Sequence, residues 1–240
     1  MNPTPENPPP ENPPPPAPGP ETSAPGAEAP ASPVPRLSPS EENYLKVVYA
    51  LREWAPADVT TGRLATALGV APASATAMVG KLVSRGFLDH PPYGSVNLTP
   101  EGLSAALSVV RRHRLIESFL VEHLGYSWDE VHDEAEVLEH TVSQRFVDRI
   151  DALLGHPTAD PHGDPIPTSQ GDPRRQEAER LDTVTDGEAL VVRVSDSSPD
   201  ILRACADAGA VPGATLDVAP ARTVLPEAAV SSIWVRRLDA

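Results

Sequence analysis

The sequence predicts a mainly α-helical protein that ends in a small β-barrel, and three observations lead there. Hydroxyl-capped segments with helical apolar spacing recur from Ser38 to Leu154. One pair of strand-like runs interrupts them, directly after two helices joined at a glycine. Beyond a stretch rich in Pro and Gly, the apolar residues gather into three short strand-like runs.

The elements follow in order. Fifteen of the 30 prolines fall within Met1–Pro35, so residues 1–36 cannot bury enough apolar surface to offset chain entropy and read as a disordered tail. Ser38-Pro39-Ser40-Glu41 is a capping box with Pro at the first helical position, and Trp54-Ala55-Pro56 stops the helix it opens. A second helix starts at Thr60-Thr61 and ends at Leu68-Gly69; a third runs from near Pro72 to Arg85-Gly86. Phe87–His90 and Ser95–Leu98 form a hairpin around Pro91-Pro92-Tyr93-Gly94. Thr99-Pro100-Glu101 caps a long helix ending at Leu124-Gly125. A capping box at Ser127–Glu130 opens a helix to about His140, and Ser143–Leu154 makes the next. His156–Pro173 reads as a boundary, with Glu188–Val194, Ala214–Val218 and Ser231–Leu238 as the strands of the barrel.

A formal charge of −15 argues against a nucleic-acid partner until its distribution is examined. Residues 37–110 carry 5 basic and 6 acidic side chains, whereas 111–155 carry 5 and 10, so the acid is concentrated where a cation can sit. The single cysteine, Cys205, leaves any metal to nitrogen and oxygen ligands. With no long apolar run and no secretory signal, the expected location is cytoplasmic, without membrane contact.

Two helices joined by a tight glycine turn and followed at once by a hairpin make a winged helix-turn-helix. Ala65 is small where the helices cross, Gly69 can take positive φ, and Ala75, Val79 and Leu82 face inward. An ordinary three-helix cluster accounts equally well for the helices; the hairpin tips the balance to DNA. The candidate DNA contacts are Ala73, Ser74, Thr76, Ala77 and Lys81 on the outer face, with Tyr93 at the hairpin tip. Short side chains let the helix enter a major groove, where hydroxyls meet phosphates and methyls meet thymine.

His132, Glu136, Glu139 and His140 fall within an arc of roughly 100° on one helix. His113 and Glu117 stand one turn apart on the preceding, antiparallel helix. A solvated acidic face explains any one of these residues; six together favour a divalent cation such as Mn²⁺, Fe²⁺, Co²⁺, Ni²⁺ or Zn²⁺. His90 and His162 read as surface and loop polarity, and Trp128 and Trp234 as core anchors.

With Glu42–Lys46, Arg112–Glu117, His132–His140 and the Asp160–Pro167 stretch DPHGDPIP, the chain resembles the diphtheria-toxin-repressor-like family of metal-dependent transcriptional repressors, most of all its actinobacterial manganese-sensing branch. The resemblance implies a non-enzymatic, homodimeric repressor of metal-uptake genes that binds a palindromic operator in double-stranded DNA, with Mn(II) favoured and Fe(II) the alternative. It implies a winged helix-turn-helix over 37–100, a helical metal-binding and dimerisation domain over 101–167, a linker over 168–178 and an SH3-like (FeoA-like) domain over 179–240. One metal site would use His113, Glu117 and His132, and the other Asn43, Glu136, Glu139 and His140. Three departures stand out. Asn43 occupies a place where manganese sensors usually have Asp, so that Glu42 is a substitute candidate. Lys46 stands where some members supply a ligand. Asp200 is the candidate for a ligand from the C-terminal domain. The competing class, a metal-storage protein or metal-dependent enzyme built on a helical bundle, is disfavoured by the hairpin and the short-side-chain helix.

Overall fold

Ser38 opens the first helix as its capping box predicts: its hydroxyl accepts from the Glu41 amide, and the Glu41 carboxylate accepts from the Ser38 amide at 2.8 Å. The computed structural model describes residues 37–54, 58–174 and 176–238; the Pro-rich tail expected over 1–36 lies outside them. Helix α1 (Pro39–Glu53), α2 (Thr61–Ala67) and α3 (Pro72–Ser84) agree with the sequence reading, and Gly69 turns between α2 and α3 at φ +64°. Tyr44, Leu45 and Val48 of α1 pack on Leu64, Val79 and Leu82.

The wing is shorter than predicted. Strands β1 (Leu88–Asp89) and β2 (Asn97–Leu98) pair antiparallel over two residues each. The residues expected to extend it bond elsewhere: the Val96 amide donates to the Val59 carbonyl at 2.7 Å, and the Ser95 hydroxyl accepts from the Val59 amide. Helix α4 (Pro100–Leu124) begins on the Thr99 cap, and Gly102 lets it approach the wing so closely that a Cβ there would lie 1.9 Å from the Phe87 carbonyl oxygen.

The helix expected from Ser127 to about His140 is trimmed at both ends to α5 (Val131–Leu138). At its start the Ser127 hydroxyl bonds the Glu130 side chain instead of capping a backbone amide. At its end Thr141 and Val142 form a turn leading to Ser143, which caps α6 (Gln144–Leu153). Glu139 keeps a helical bond, its amide donating to the Ala135 carbonyl at 2.9 Å, and closes the helix as its cap ahead of that turn. Leu115, Ile116 and Leu120 of α4 pack with Val131, Ala135, Val147 and Ile150 in a second core.

The C-terminal region is an antiparallel sheet of β3 (Glu179–Arg180), β4 (Glu188–Val194), β5 (Thr215–Asp217) and β6 (Ile233–Arg237), in the order β3-β6-β4-β5. It is an open sheet with β3 and β5 at its edges and does not close into the expected barrel: β3 is two residues long, and β5 gives way at Val218 to a helix. Three helices that the sequence reading lacked accompany it, α7 (Pro199–Asp207), α8 (Val218–Val224) and α9 (Glu227–Val230). Leu202 and Cys205 of α7 join Ala189, Val191, Ile233 and Val235 in the third core. Strand β4 is held to the loop before it, since the Val194 amide donates to the His162 carbonyl at 2.9 Å. No single described helix is long and apolar enough to cross a membrane.

Candidate metal centres and nucleic-acid interface

On α4, His113 and Glu117 are one turn apart and buried, with His113 Nε2 3.0 Å from Glu117 Oε1. Across the α4–α5 contact, His132 Nδ1 lies 3.3 Å from His113 Nε2 and 3.4 Å from Glu117 Oε1. A fourth donor comes from the C-terminal region: Asp196 Oδ2 is 3.1 Å from His132 Nδ1. Ligands held at about 2.1 Å by an octahedral ion stand about 3 Å from their neighbours, so the spacing fits a small divalent cation. Asp200, the residue that sequence reasoning offered for this place, is instead exposed and paired with Arg203. Asp196 was missed because nothing in its local sequence sets it apart; β4 carries it to the site.

Burial pushes the His132 imidazole pKa down, but hydrogen bonds to Asp196 and Glu117 outweigh this and raise it to about 11. His113 rises as well, burial being overcome by Glu117 and Glu139. Burial raises Glu117, yet the imidazoles of His113 and His132 hold it well below the usual carboxylate range. The upward shifts of the imidazoles and the downward shift of Glu117 share one cause, the attraction between ring and carboxylate in a buried set, and a bound cation would compete with ring protons for the same donors.

The second set joins α1 to the turn after α5. His140 Nε2 is 2.7 Å from Asn43 Oδ1 and 3.2 Å from the fully buried Glu139 Oε1. Glu42, the alternative to Asn43, lies on the other ring nitrogen, 2.7 Å from His140 Nδ1, and is also paired with Arg112. Asn43, Glu139 and His140 therefore converge with Glu42 orienting the ring. Glu136 stands aside: its Oε1 contacts Lys46 Nζ at 3.2 Å and His132 Nε2 at 3.6 Å. Lys46 Nζ also lies 2.8 Å from Glu139 Oε1, placing an ammonium between two predicted ligands. The two sets meet at His113, whose Nδ1 is 2.6 Å from Glu139 Oε2.

On α3, Ala73, Ser74, Thr76, Ala77 and Lys81 form an exposed face, and Tyr93 stands fully exposed at the wing tip with φ +60°. The Thr76 hydroxyl donates to the Pro72 carbonyl at 3.0 Å, and Lys81 pairs with Glu41 at 3.2 Å. His162 was misjudged as loop polarity; it is completely buried and stacks on Trp128.

Residues 36–96 match the family profile described as iron dependent repressor, N-terminal DNA binding domain, and residues 99–168 match iron dependent repressor, metal binding and dimerisation domain. The iron-dependent repressor IdeR of Mycobacterium leprae is 31% identical over 200 residues, covering 77% of this chain and 86% of its own. The transcriptional regulator MntR of Oceanobacillus iheyensis is 35% identical over 119 residues, covering 50% of this chain and 80% of its own. Among solved structures, a manganese-dependent transcriptional repressor in complex with manganese superposes with a TM-score of 0.74 at 42% identity, over 82% of this chain and all of its own.

Proposed function

The chain belongs to the iron-dependent repressor family, and from that premise we propose how its own residues carry the family's metal response. It is a metal-dependent DNA-binding transcriptional repressor and not an enzyme; Mn(II) or Fe(II) is its metal, and it acts as a homodimer on operator DNA. In our reading residues 37–100 are the DNA-binding unit, 101–167 the metal-binding and dimerisation unit, 168–178 a linker, and 179–240 an SH3-like unit whose sheet stays open at β3 and β5. The regulated genes are those of metal uptake.

One site uses His113, Glu117 and His132 with Asp196; the other uses Asn43, Glu139 and His140, with Glu136 joining once Lys46 yields. A divalent cation at each would neutralise the gathered carboxylates and compete with Lys46 and with ring protons for them. The observation that carries this reading is the 2.7 Å contact of Asn43 with His140, because Asn43 lies on α1 of the DNA-binding unit and His140 in the helical unit. Ligands drawn from both units fix the angle between them, so that the two α3 helices of a dimer meet successive major grooves about 34 Å apart. Ser74, Thr76 and Lys81 then contact phosphates, Ala73 and Ala77 lie against base edges, and Tyr93 reaches the flanking backbone. Metal and operator favour one conformer and hence each other.

Mn(II) is favoured over Fe(II) because every donor in both sets is oxygen or imidazole nitrogen, while Cys205 is buried in the C-terminal core. Apolar Phe146 and Leu153 on α6, 44% and 60% exposed, suit the dimer seam. The test is operator binding by fluorescence anisotropy during Mn(II) titration. Glu139→Gln and His140→Ala should abolish the metal response while sedimentation shows an intact dimer; normal activation of either variant removes the second site.

A further inference from the structure

The far end of α1 from Asn43 is held by contacts that involve no residue of either ligand set. Trp54 closes α1, while Arg193 lies on β4 and Trp234 on β6 of the C-terminal sheet. We propose that Arg193 is a positioning residue for operator binding: packed on both indoles and tied to Asp164, it clamps the C-terminal sheet to the end of α1 and gives that helix a second fixed point.

The contacts converge from four segments. The Arg193 guanidinium carbon lies 4.5 Å from the Trp234 ring centre and 5.1 Å from that of Trp54, and the two indoles are 5.8 Å apart. Only 11% of the Arg193 side chain is exposed, and a cation on an aromatic face is held more strongly where water is kept away. Asp164 Oδ1 accepts from Arg193 Nε and from Trp54 Nε1, at 2.6 Å each. The same oxygen stands 3.5 Å from Arg114 Nη2, and Arg114 donates to both oxygens of Glu53 on α1 at 2.9 and 2.6 Å. Two guanidiniums thus balance two carboxylates where α1, α4, the loop after α6 and β4 meet.

The sheet is shaped for this contact. Val191 pairs with Val235 but Arg193 pairs with Trp234, so β4 carries an extra residue at Val192. Such a bulge re-aims the side chains around it. Val191 and Val194 both stay in the third core, and Arg193 comes directly opposite Trp234, which stands between the core residues Ile233 and Val235 and points away from them. Trp234, read from the sequence as a core anchor, serves this joint instead. The loop reaches the bulge because residue 163 is glycine: at φ +90°, a Cβ there would lie 2.0 Å from the Val192 carbonyl oxygen.

A helix fixed at one point can pivot, whereas two points define its axis. Asn43 and Trp54 are 11 residues apart, which is about 16 Å along α1. A ligand set at Asn43 secures one end and the Arg193 joint the other. Any tilt of α1 is passed to α3, since Tyr44, Leu45 and Val48 pack on Val79 and Leu82. The inference rests on the proposed ligand set for the first of these points and is independent of it for the second.

Full-length Arg193→Gln, Trp54→Leu and the double variant are compared with wild type by operator anisotropy at saturating Mn(II) and by urea unfolding. Each single variant should bind operator about tenfold more weakly. The double variant should bind no more weakly than either single one, because both changes break the same joint. A purely structural role would lower the urea midpoint while the folded variants bound operator as tightly as wild type; that result overturns the proposal, as do losses that add in the double variant. Operator binding without Mn(II) is measured alongside, and a wild type indifferent to Mn(II) counts against the proposed function alone, because the comparison among the chains still stands. Should the variants fail to fold, hydrogen exchange of the unaltered protein decides: operator should slow exchange in β4 together with the end of α1, and slowing in α1 with β4 unchanged overturns the joint.

Discussion

Lys46→Leu would remove the ammonium that lies between Glu136 and Glu139 without adding a metal ligand. That ammonium is 2.8 Å from a fully buried carboxylate and is itself only 12% exposed. Breaking one partner of a buried ion pair costs about 3–5 kcal/mol, and the lower end applies because Glu139 keeps His113 on its other oxygen. The loss falls on the metal-free state, since a bound cation takes over the charge that Lys46 balances. A differential of about 3 kcal/mol corresponds to roughly 100-fold tighter Mn(II) binding at this site. The same figure lowers the melting temperature of the metal-free protein by about 6–12 °C, with a smaller change in the loaded form. Isothermal titration and thermal melts with and without Mn(II) read both quantities, and Lys46→Arg serves as the charge-preserving control. Unchanged or weaker Mn(II) affinity, with equal losses of melting temperature in both forms, would refute the idea that Lys46 competes with the metal.

Three further outcomes are expected. Glu41 is buried, which raises its pKa, but Arg85, Ser38 and Lys81 bring it from 4.5 to about 2; its stabilisation is present above pH 4.5 and lost as pH falls through 2. Glu41→Gln should therefore cost about 3 kcal/mol in urea unfolding at pH 7 and progressively less toward pH 2. His132, raised from 6.5 to about 11, stabilises the metal-free fold fully below pH 6.5 and less as pH climbs toward 11. Mn(II) binding near pH 7.5 should therefore release a proton that His132→Gln does not, a difference readable by calorimetry in buffers of different ionisation enthalpy. Gly102→Ala drives a Cβ into the Phe87 carbonyl and should destabilise by about 3 kcal/mol or more, whereas Gly80→Ala, on a helix with open space around it, should stabilise by about 0.5–1 kcal/mol.

What the sequence disclosed was local. Ser38 and Thr99 cap their helices as read, and Thr60 and Ser143 cap the helices whose starts were read there, because a cap needs only the amides two or three residues ahead. The His113–Glu117 pair was visible for the same reason, one helical turn being enough to align it. Asp196 and the burial of His162 were not visible, since both depend on where β4 meets the loop after α6, a contact made between distant segments. The overlong helix at Ser127–His140 shows a competition that periodicity alone cannot rank: Thr141 and Val142 lead into the Ser143 cap, and the chain turns there. Helix α7 begins on Ser198-Pro199 without a side-chain cap, and its apolar face is defined only by the sheet it covers.

His113 touches both ligand sets with one ring, and a neutral ring has a single proton to place. If Nε2 gives its lone pair to the set shared with Glu117 and His132, the proton must sit on Nδ1, where it donates to Glu139 Oε2. Glu139 is then held by one oxygen and presents the other, Oε1, toward His140. Filling the first set, as proposed, would therefore shape the second before any ion reached it. On the proposed ligand sets, the His113 imidazole would thus set an order of loading, with the set that joins the DNA-binding helix to the rest of the protein filled last.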